Sequence, residues 1–278
     1  MLPPLVEVDW LVSQLGQPDL RILDPTIQIL PTGIRTGQSD WERAHIPGSI
    51  FVDLIKLSDP AAPPHTLTMP PAAWFAAEMG RLGVGDGARV VIYDARENMW
   101  AARLWWMFRS FGIDDVAILN GGWTMWQRAQ APVCHDPCSY APAALTVRLR
   151  PELVVGKQQV LAAIDDPDTC LVNALGRRQH HGEISEYGRP GHIPGSVNVT
   201  AWEILERETQ RYKSVEQLRQ RFAAVLGARR IITYCGSGIA CSSDAFALHL
   251  LGHDNVSIYD GSLLEWCADP SLPLTVGP

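Results

Sequence analysis

Cys235 is the residue best placed in this chain to do covalent chemistry, because of what flanks it. Arg230 leads into the β-branched, apolar run Ile231-Ile232-Thr233-Tyr234, which reads as a buried strand. Gly236-Ser237-Gly238-Ile239-Ala240 follows, and Ser242 to Gly252 then reads as an apolar-rich helix. The cysteine therefore sits where a strand stops and a helix begins. Backbone N–H groups in such a loop have no carbonyl partners within the helix and are free to point at an anion held on the sulfur. The positive end of the helix favours thiolate over thiol, which makes the sulfur a nucleophile near neutral pH. Gly236 and Gly238 let the backbone curl without a side-chain clash. A merely structural cysteine at a strand end has no need of a Gly-Ser-Gly turn directly after it.

Few other groups suit the same chemistry. Cys241 stands six residues after Cys235. It reads either as a thiol that resolves a persulfide or sulfenic acid, or as small apolar packing in the first helical turn, and packing is the expectation. Arg177-Arg178-Gln179-His180-His181 reads equally as a solvated loop face or as an anion-steering cluster. Cys134-His135-Asp136-Pro137-Cys138 lacks a second ligand pair, so no metal is expected.

The elements that must position the loop come from an ordinary globular chain. Its 278 residues suffice for one large domain or two of usual size. At 46% hydrophobic and 19% charged residues, it is composed to fold. The 23 Lys and Arg against 30 Asp and Glu give a net charge of −7, which argues against nucleic acid as a partner. Met1 to Glu7 has no basic patch followed by an apolar core, so no signal peptide is expected. No apolar run approaches the roughly 20 residues of a membrane helix. Six cysteines without regular spacing do not make a disulfide framework. The expectation is a soluble protein of the reducing cytoplasm with no membrane partner, its oligomeric state left open.

Read in order, Asp9 to Leu15 is helical, Leu20 to Leu23 is a strand, and Gly37 to Ala44 is a polar loop with a short helix. Ala44 to Asp53 is a turn leading into a strand, and Ser58 to Pro71, with five prolines, is a loop. Pro71 to Leu82 is a helix and Arg89 to Tyr93 a strand. After the loop Asp94 to Asn98 come a tryptophan-rich helix, Met99 to Phe111, and a strand, Val116 to Leu119. Asn120-Gly121-Gly122-Trp123 then opens a further helix. Strands alternating with helices predict an α/β fold, a mainly parallel sheet with helices on both faces.

The second half repeats the first. His45-Ile46-Pro47-Gly48-Ser49 recurs as His192-Ile193-Pro194-Gly195-Ser196, and Val90-Val91-Ile92-Tyr93-Asp94 pairs with Ile231-Ile232-Thr233-Tyr234-Cys235. Gly121 and Trp126 match Gly261 and Trp266. Such a spacing, near 140 residues, is that of a duplicated domain and not of a solenoid. The reading is an N-terminal, non-catalytic domain over 1–133, a linker over 134–150 and a catalytic C-terminal domain over 151–278. Asp94 stands where the first domain would have its nucleophile. His45 and His192 occur in both halves and so read as turn-closing residues. The tryptophans read as packing.

These residues resemble the tandem rhodanese family of sulfurtransferases. The likeness is carried by both His-Ile-Pro-Gly-Ser copies, the Trp105-Trp106-Met107-Phe108-Arg109 helix and Tyr259-Asp260-Gly261-Ser262. It implies two tandem rhodanese-like domains, of which only the C-terminal one holds a catalytic cysteine. Cys235-Gly236-Ser237-Gly238-Ile239 looks like the mercaptopyruvate branch, which reads Cys-Gly-Ser-Gly-Val, whereas the thiosulfate branch places basic residues after the cysteine. The resemblance implies a ping-pong reaction without a cofactor. Cys235 takes sulfane sulfur from 3-mercaptopyruvate or thiosulfate as a persulfide, and a thiol or cyanide removes it. Ser237 would assist the donor, and Gly236, Gly238, Ile239 and Ala240 would line its site.

Departures accompany the matches. An acidic residue that the mercaptopyruvate branch places after the first His-Ile-Pro-Gly falls on Ile55, with Asp53 two residues earlier. Two arginines that grip the donor carboxylate in that branch fall on Gln179 and Ser185. Arg178 is the expected substitute, with Arg177 and Arg189 beside it.

Two other functions compete. A cysteine phosphatase or arsenate reductase needs an arginine at the end of the loop, where this chain has Cys241, Ser242 and Ser243. A thiol redox or persulfide-binding module would use Cys235 and Cys241 without sulfur-transfer turnover. Mild peroxide followed by mass spectrometry separates that module from the enzyme.

Overall fold

The computed structural model describes residues 1–30, 33–63 and 66–278; Pro64 and His65, inside the expected proline-rich loop, lie outside them. The chain forms two compact units, Met1–Arg150 with Arg207–Arg211, and Pro151–Glu206 with Tyr212–Pro278.

The first unit runs β1 (Leu5–Val6), α1 (Val8–Gln14), β2 (Leu20–Asp24), β3 (Ile27–Leu30), β4 (Gly33–Thr36), α2 (Gln38–Arg43) and β5 (Ser49–Phe51). It continues with α3 (Leu54–Leu57), α4 (Ala72–Arg81), β6 (Arg89–Ile92), α5 (Met99–Ser110), β7 (Val116–Leu119) and α6 (Gly122–Arg128). Its five-stranded sheet has the order β1-β7-β6-β2-β5, parallel throughout and flanked by helices. The antiparallel pair β3–β4 was not legible in the sequence, because its burial does not follow its apolar residues: Ile27 and Gln28 are buried while Ile29 is 67% exposed.

The second unit runs β8 (Val154–Val155), α7 (Lys157–Ala163), β9 (Thr169–Asn173), α8 (Arg177–His180), β10 (Val197–Asn198), α9 (Val215–Arg221), β11 (Arg230–Tyr234), α10 (Ala240–Leu250), β12 (Val256–Tyr259) and α11 (Ser262–Ala268). The sheet order β10-β9-β11-β12-β8 is the first unit's order read from the other edge, again all parallel. Central strands β6 and β11 are buried on both faces, as their continuous apolar runs require.

The His-Ile-Pro-Gly-Ser copies build the same corner twice. His45 stacks on Trp41 and exchanges backbone hydrogen bonds with Cys134; His192 stacks on His180 and does the same with Thr275. The N–H groups of Ile46 and Ile193 donate to the hydroxyls of Tyr93 and Tyr234, which also bond Ser49 and Ser196. Those tyrosines are the residues just before Asp94 and Cys235. The motif therefore fixes the end of each central strand.

The stretch 134–150, expected as a linker, is tied along the first unit. Tyr140 donates to Gly48 O, Thr146 to Asp86, and Arg150 pairs with Asp114.

Candidate active site

In the second unit β11 lies between β9 and β12, with Tyr234 opposite Asn173 and Thr233 opposite Ile258. Cys235 thus leaves the C-terminal end of the central strand, where open parallel sheets place their ligands. Residues 236–239 turn the chain into α10, which begins at Ala240. Gly238 adopts φ +78, a left-handed conformation open to glycine.

Cys235 is 2% exposed. Burial by itself pushes its thiol up, but hydrogen bonds from the Cys241 thiol and amide and from the Ser237 amide outweigh it, and the group falls from an ordinary 9.0 to about 6. At neutral pH the sulfur is a thiolate. Cys241, expected as small apolar packing, is instead one of the groups that holds this anion. Ser237 is the only member of 236–240 that is not buried, so its side chain faces outward while its amide faces the sulfur. Gly236, Gly238, Ile239 and Ala240 form the buried turn.

The loop is clamped from α11. The Cys235 and Gly238 N–H groups donate to Ser262 Oγ at 3.1 and 3.2 Å, and the Ser262 hydroxyl donates to Tyr259 O at 2.7 Å. Leu263 and Leu264 N–H groups bond the carbonyls of Cys235 and Gly236. Ser262 does this at φ +49, a conformation uncommon outside glycine. Within α10, Asp244 is wholly buried, and both its carboxyl oxygens lack partners among the described residues. Burial, then the Cys235 charge, push this acid well above the usual carboxylate range.

Tyr187 also reaches the loop, across the segment joining α8 to β10. A Cβ built on Gly236 would meet Tyr187 Oη at 2.0 Å and Cζ at 2.1 Å. Sequence reasoning missed both Tyr187 and a role for Ser262 at the cysteine; each lies far from Cys235 in the chain and arrives through the sheet topology.

The three arginines expected at the donor are engaged with other acceptors. Arg177 pairs with Glu203, and Arg178 pairs with Glu183 with its side chain 71% exposed. Arg189 donates to the Asp269 and Leu272 carbonyls, both at 3.0 Å. Gln179, at one of the two positions where an arginine was missing, donates to Glu186 at 2.7 Å. In the first unit Asp53 caps α3, accepting from the Ile55 and Lys56 N–H groups.

At Asp94 the first unit repeats the loop without a nucleophile. The Asp94 carboxylate accepts from the N–H groups of Arg96, Asn98 and Ala101 at 2.7, 3.2 and 2.8 Å. Here a side-chain carboxyl fills the amide cradle.

The rhodanese-like domain model matches residues 7–129 and 158–269. The chain is 33% identical to the 3-mercaptopyruvate sulfurtransferase of Escherichia coli K12 over 275 residues, covering 97% of this chain and 96% of that protein. It is equally 33% identical to the thiosulfate sulfurtransferase of Bos taurus over 274 residues, covering 94% and 91%. The crystal structure of SseA from Escherichia coli superposes with a TM-score of 0.84 at 30% identity, over 94% of this chain and 99% of that one. With both halves matched and relatives that span nearly its whole length, the chain belongs to the tandem rhodanese family of sulfurtransferases.

Proposed function

We propose that Cys235 carries sulfane sulfur from 3-mercaptopyruvate to a thiol or cyanide acceptor. The observation that carries this reading is a buried thiolate held by amide and thiol donors, in a loop whose side chains from 236 to 240 bear no charge. A neutral loop suits a monoanionic 2-oxo acid better than the thiosulfate dianion, whose extra charge calls for a cation. In the first step the Cys235 thiolate attacks the donor sulfur. The donor C–S bond breaks, its electron pair passes to carbon as pyruvate enolate, and the donor's thiol proton ends on that carbon. Pyruvate and a Cys235 persulfide anion remain. In the second step the acceptor attacks the outer sulfur, the S–S bond breaks, and its pair returns to Cys235 as thiolate. Thiosulfate would follow the same course with sulfite leaving. The six cysteines are free thiols, which supports a reducing compartment, the cytoplasm.

The Cys241 thiol beside Cys235 favours one second reading. A Cys241 thiolate attacks the inner sulfur of the Cys235 persulfide, giving a Cys235–Cys241 disulfide and expelling hydrosulfide.

Steady-state assays with 3-mercaptopyruvate and with thiosulfate, cyanide as acceptor and Cys235→Ser alongside, test the proposal. Turnover with mercaptopyruvate preferred, a one-sulfur mass increase on Cys235 and an inert Cys235→Ser are expected. An active Cys235→Ser ends the reading; a disulfide without a persulfide moves it to the second.

A further inference from the structure

The Tyr187 phenol is a polar group delivered to the active loop with nothing to bond there. Its hydroxyl end lies directly against Gly236, where any Cβ would overlap it. The residue is half-buried, and its hydroxyl has no hydrogen bond among the described residues. Its place is fixed from both sides. Gln179 holds the neighbouring Glu186 at 2.7 Å, and Arg189, two residues further on, is anchored to the carbonyls of Asp269 and Leu272.

We propose that Tyr187 is a donor-recognition residue of this active site, its phenol O–H hydrogen-bonding a carboxylate oxygen of a 2-oxo acid donor whose sulfur faces Cys235. This rests on the persulfide reading above. It gives the departures a common cause: the arginines expected at 179 and 185 are absent, and Gln179 instead braces the segment that brings a neutral donor to the loop. Burial, then the Cys235 charge, hold the phenol far above its ordinary range, so it remains a proton donor at every working pH. A neutral O–H also has a kinetic advantage over a guanidinium here. A cation beside the sulfur would depress its pKa further, and thiolate nucleophilicity falls with pKa. Gly236 is part of the same device, because only a residue without Cβ leaves the phenol room. Any side chain at 236 would occupy that space.

Ping-pong kinetics separate the two half-reactions, so kcat/KM for the donor and for cyanide report different steps. Tyr187→Phe keeps the ring and deletes the hydroxyl. The expected result is a fall of roughly tenfold or more in kcat/KM for 3-mercaptopyruvate, the loss typical of one hydrogen bond to a charged acceptor. The value for cyanide and the rate of Cys235 alkylation by iodoacetamide should change less than about twofold, as removal of a group that meets only the donor requires. An unchanged donor value overturns the proposal. So does an equal fall in donor, cyanide and alkylation rates, which would show that Tyr187 only props the loop. Cys235→Ser, run beside it, keeps the two failures apart: if that variant still turns over, the persulfide reading falls first, whatever Tyr187 does.

Discussion

The Cys241 thiol donates to the Cys235 sulfur, so the nucleophile is held as an anion in part by a second cysteine at the second position of α10. Cys241→Ala removes that donor and leaves the Cys241 amide in place. A hydrogen bond to a charged group contributes about 1.5 kcal/mol at the weak end, or about one pKa unit. The midpoint of Cys235 alkylation against pH, about 6 in the native protein, should move upward by about one unit. Activity then falls below neutrality and recovers in mild alkali. A midpoint that stays in place would show that the backbone amides hold the thiolate alone.

Asp94 carries the opposite sign. Burial first, with the charge of Asp24 adding to it, pushes its carboxyl up to about 7 against the hydrogen bonds from Ala101, Arg96 and Asn98. A folded-state pKa above the unfolded value of 3.8 means that the native state binds the proton more tightly. Its contribution is complete below about 3.8 and lost as pH rises through about 7. Against Asp94→Asn, whose amide does not titrate, the native protein should lose on the order of 4 kcal/mol of relative stability across that window. Unfolding midpoints of the two proteins at several pH values check this, and a constant gap would refute it.

How much of this was legible follows from what each residue's neighbours in sequence reveal. The strand, turn and helix around Cys235 could be read because a β-branched run, two glycines and an apolar helix are local signals. The duplication could be read because the same five residues, His-Ile-Pro-Gly-Ser, build one hydrogen-bonded corner in both units. Cys241 was read as packing because sequence spacing does not say where a helical side chain points once the preceding loop curls back. Ser262 and Tyr187 could not be placed at the sulfur, since β12 and the segment after α8 bring them there only when the sheet is assembled. The arginines expected at the donor each have an acceptor of their own in the second unit. Sequence does not say which acid or carbonyl folds closest to a charge, and Glu203, Glu183 and the carbonyls of Asp269 and Leu272 take those of Arg177, Arg178 and Arg189.

Gly236→Ala should act through Tyr187. The new Cβ would lie 2.0 Å from the phenol oxygen, so the ring must swing aside. Because that oxygen is the far end of a flexible side chain, the fold should persist while donor kcat/KM falls about as far as in Tyr187→Phe. Adding Tyr187→Phe to Gly236→Ala should then cost little more, the non-additivity expected of two residues serving one contact. Full additivity in the double-mutant cycle would separate the glycine from the phenol.

Ser262 and Gly122 hold equivalent positions, at φ +49 and φ +48, yet only the second unit accepts the strain of a side chain there. The reason lies in what each loop offers its own amides. In the first unit the Asp94 carboxylate is long enough to satisfy three N–H groups, and a glycine suffices behind it. A cysteine sulfur cannot also serve the N–H groups of Cys235 and Gly238, so the Ser262 hydroxyl takes both. Ser262→Ala removes the hydroxyl that accepts from two buried amides, each lost bond costing about 1–3 kcal/mol, and keeps the left-handed backbone strain. Ser262→Gly loses the same two bonds but relieves that strain, and should be about 1 kcal/mol more stable than Ser262→Ala. Both should lose donor turnover to the same extent, because the loop that holds the thiolate is loosened equally. Unfolding midpoints and donor kcat/KM for the pair test this together. A Ser262→Gly protein with native turnover would show that backbone shape alone, and not the hydroxyl, sets the loop.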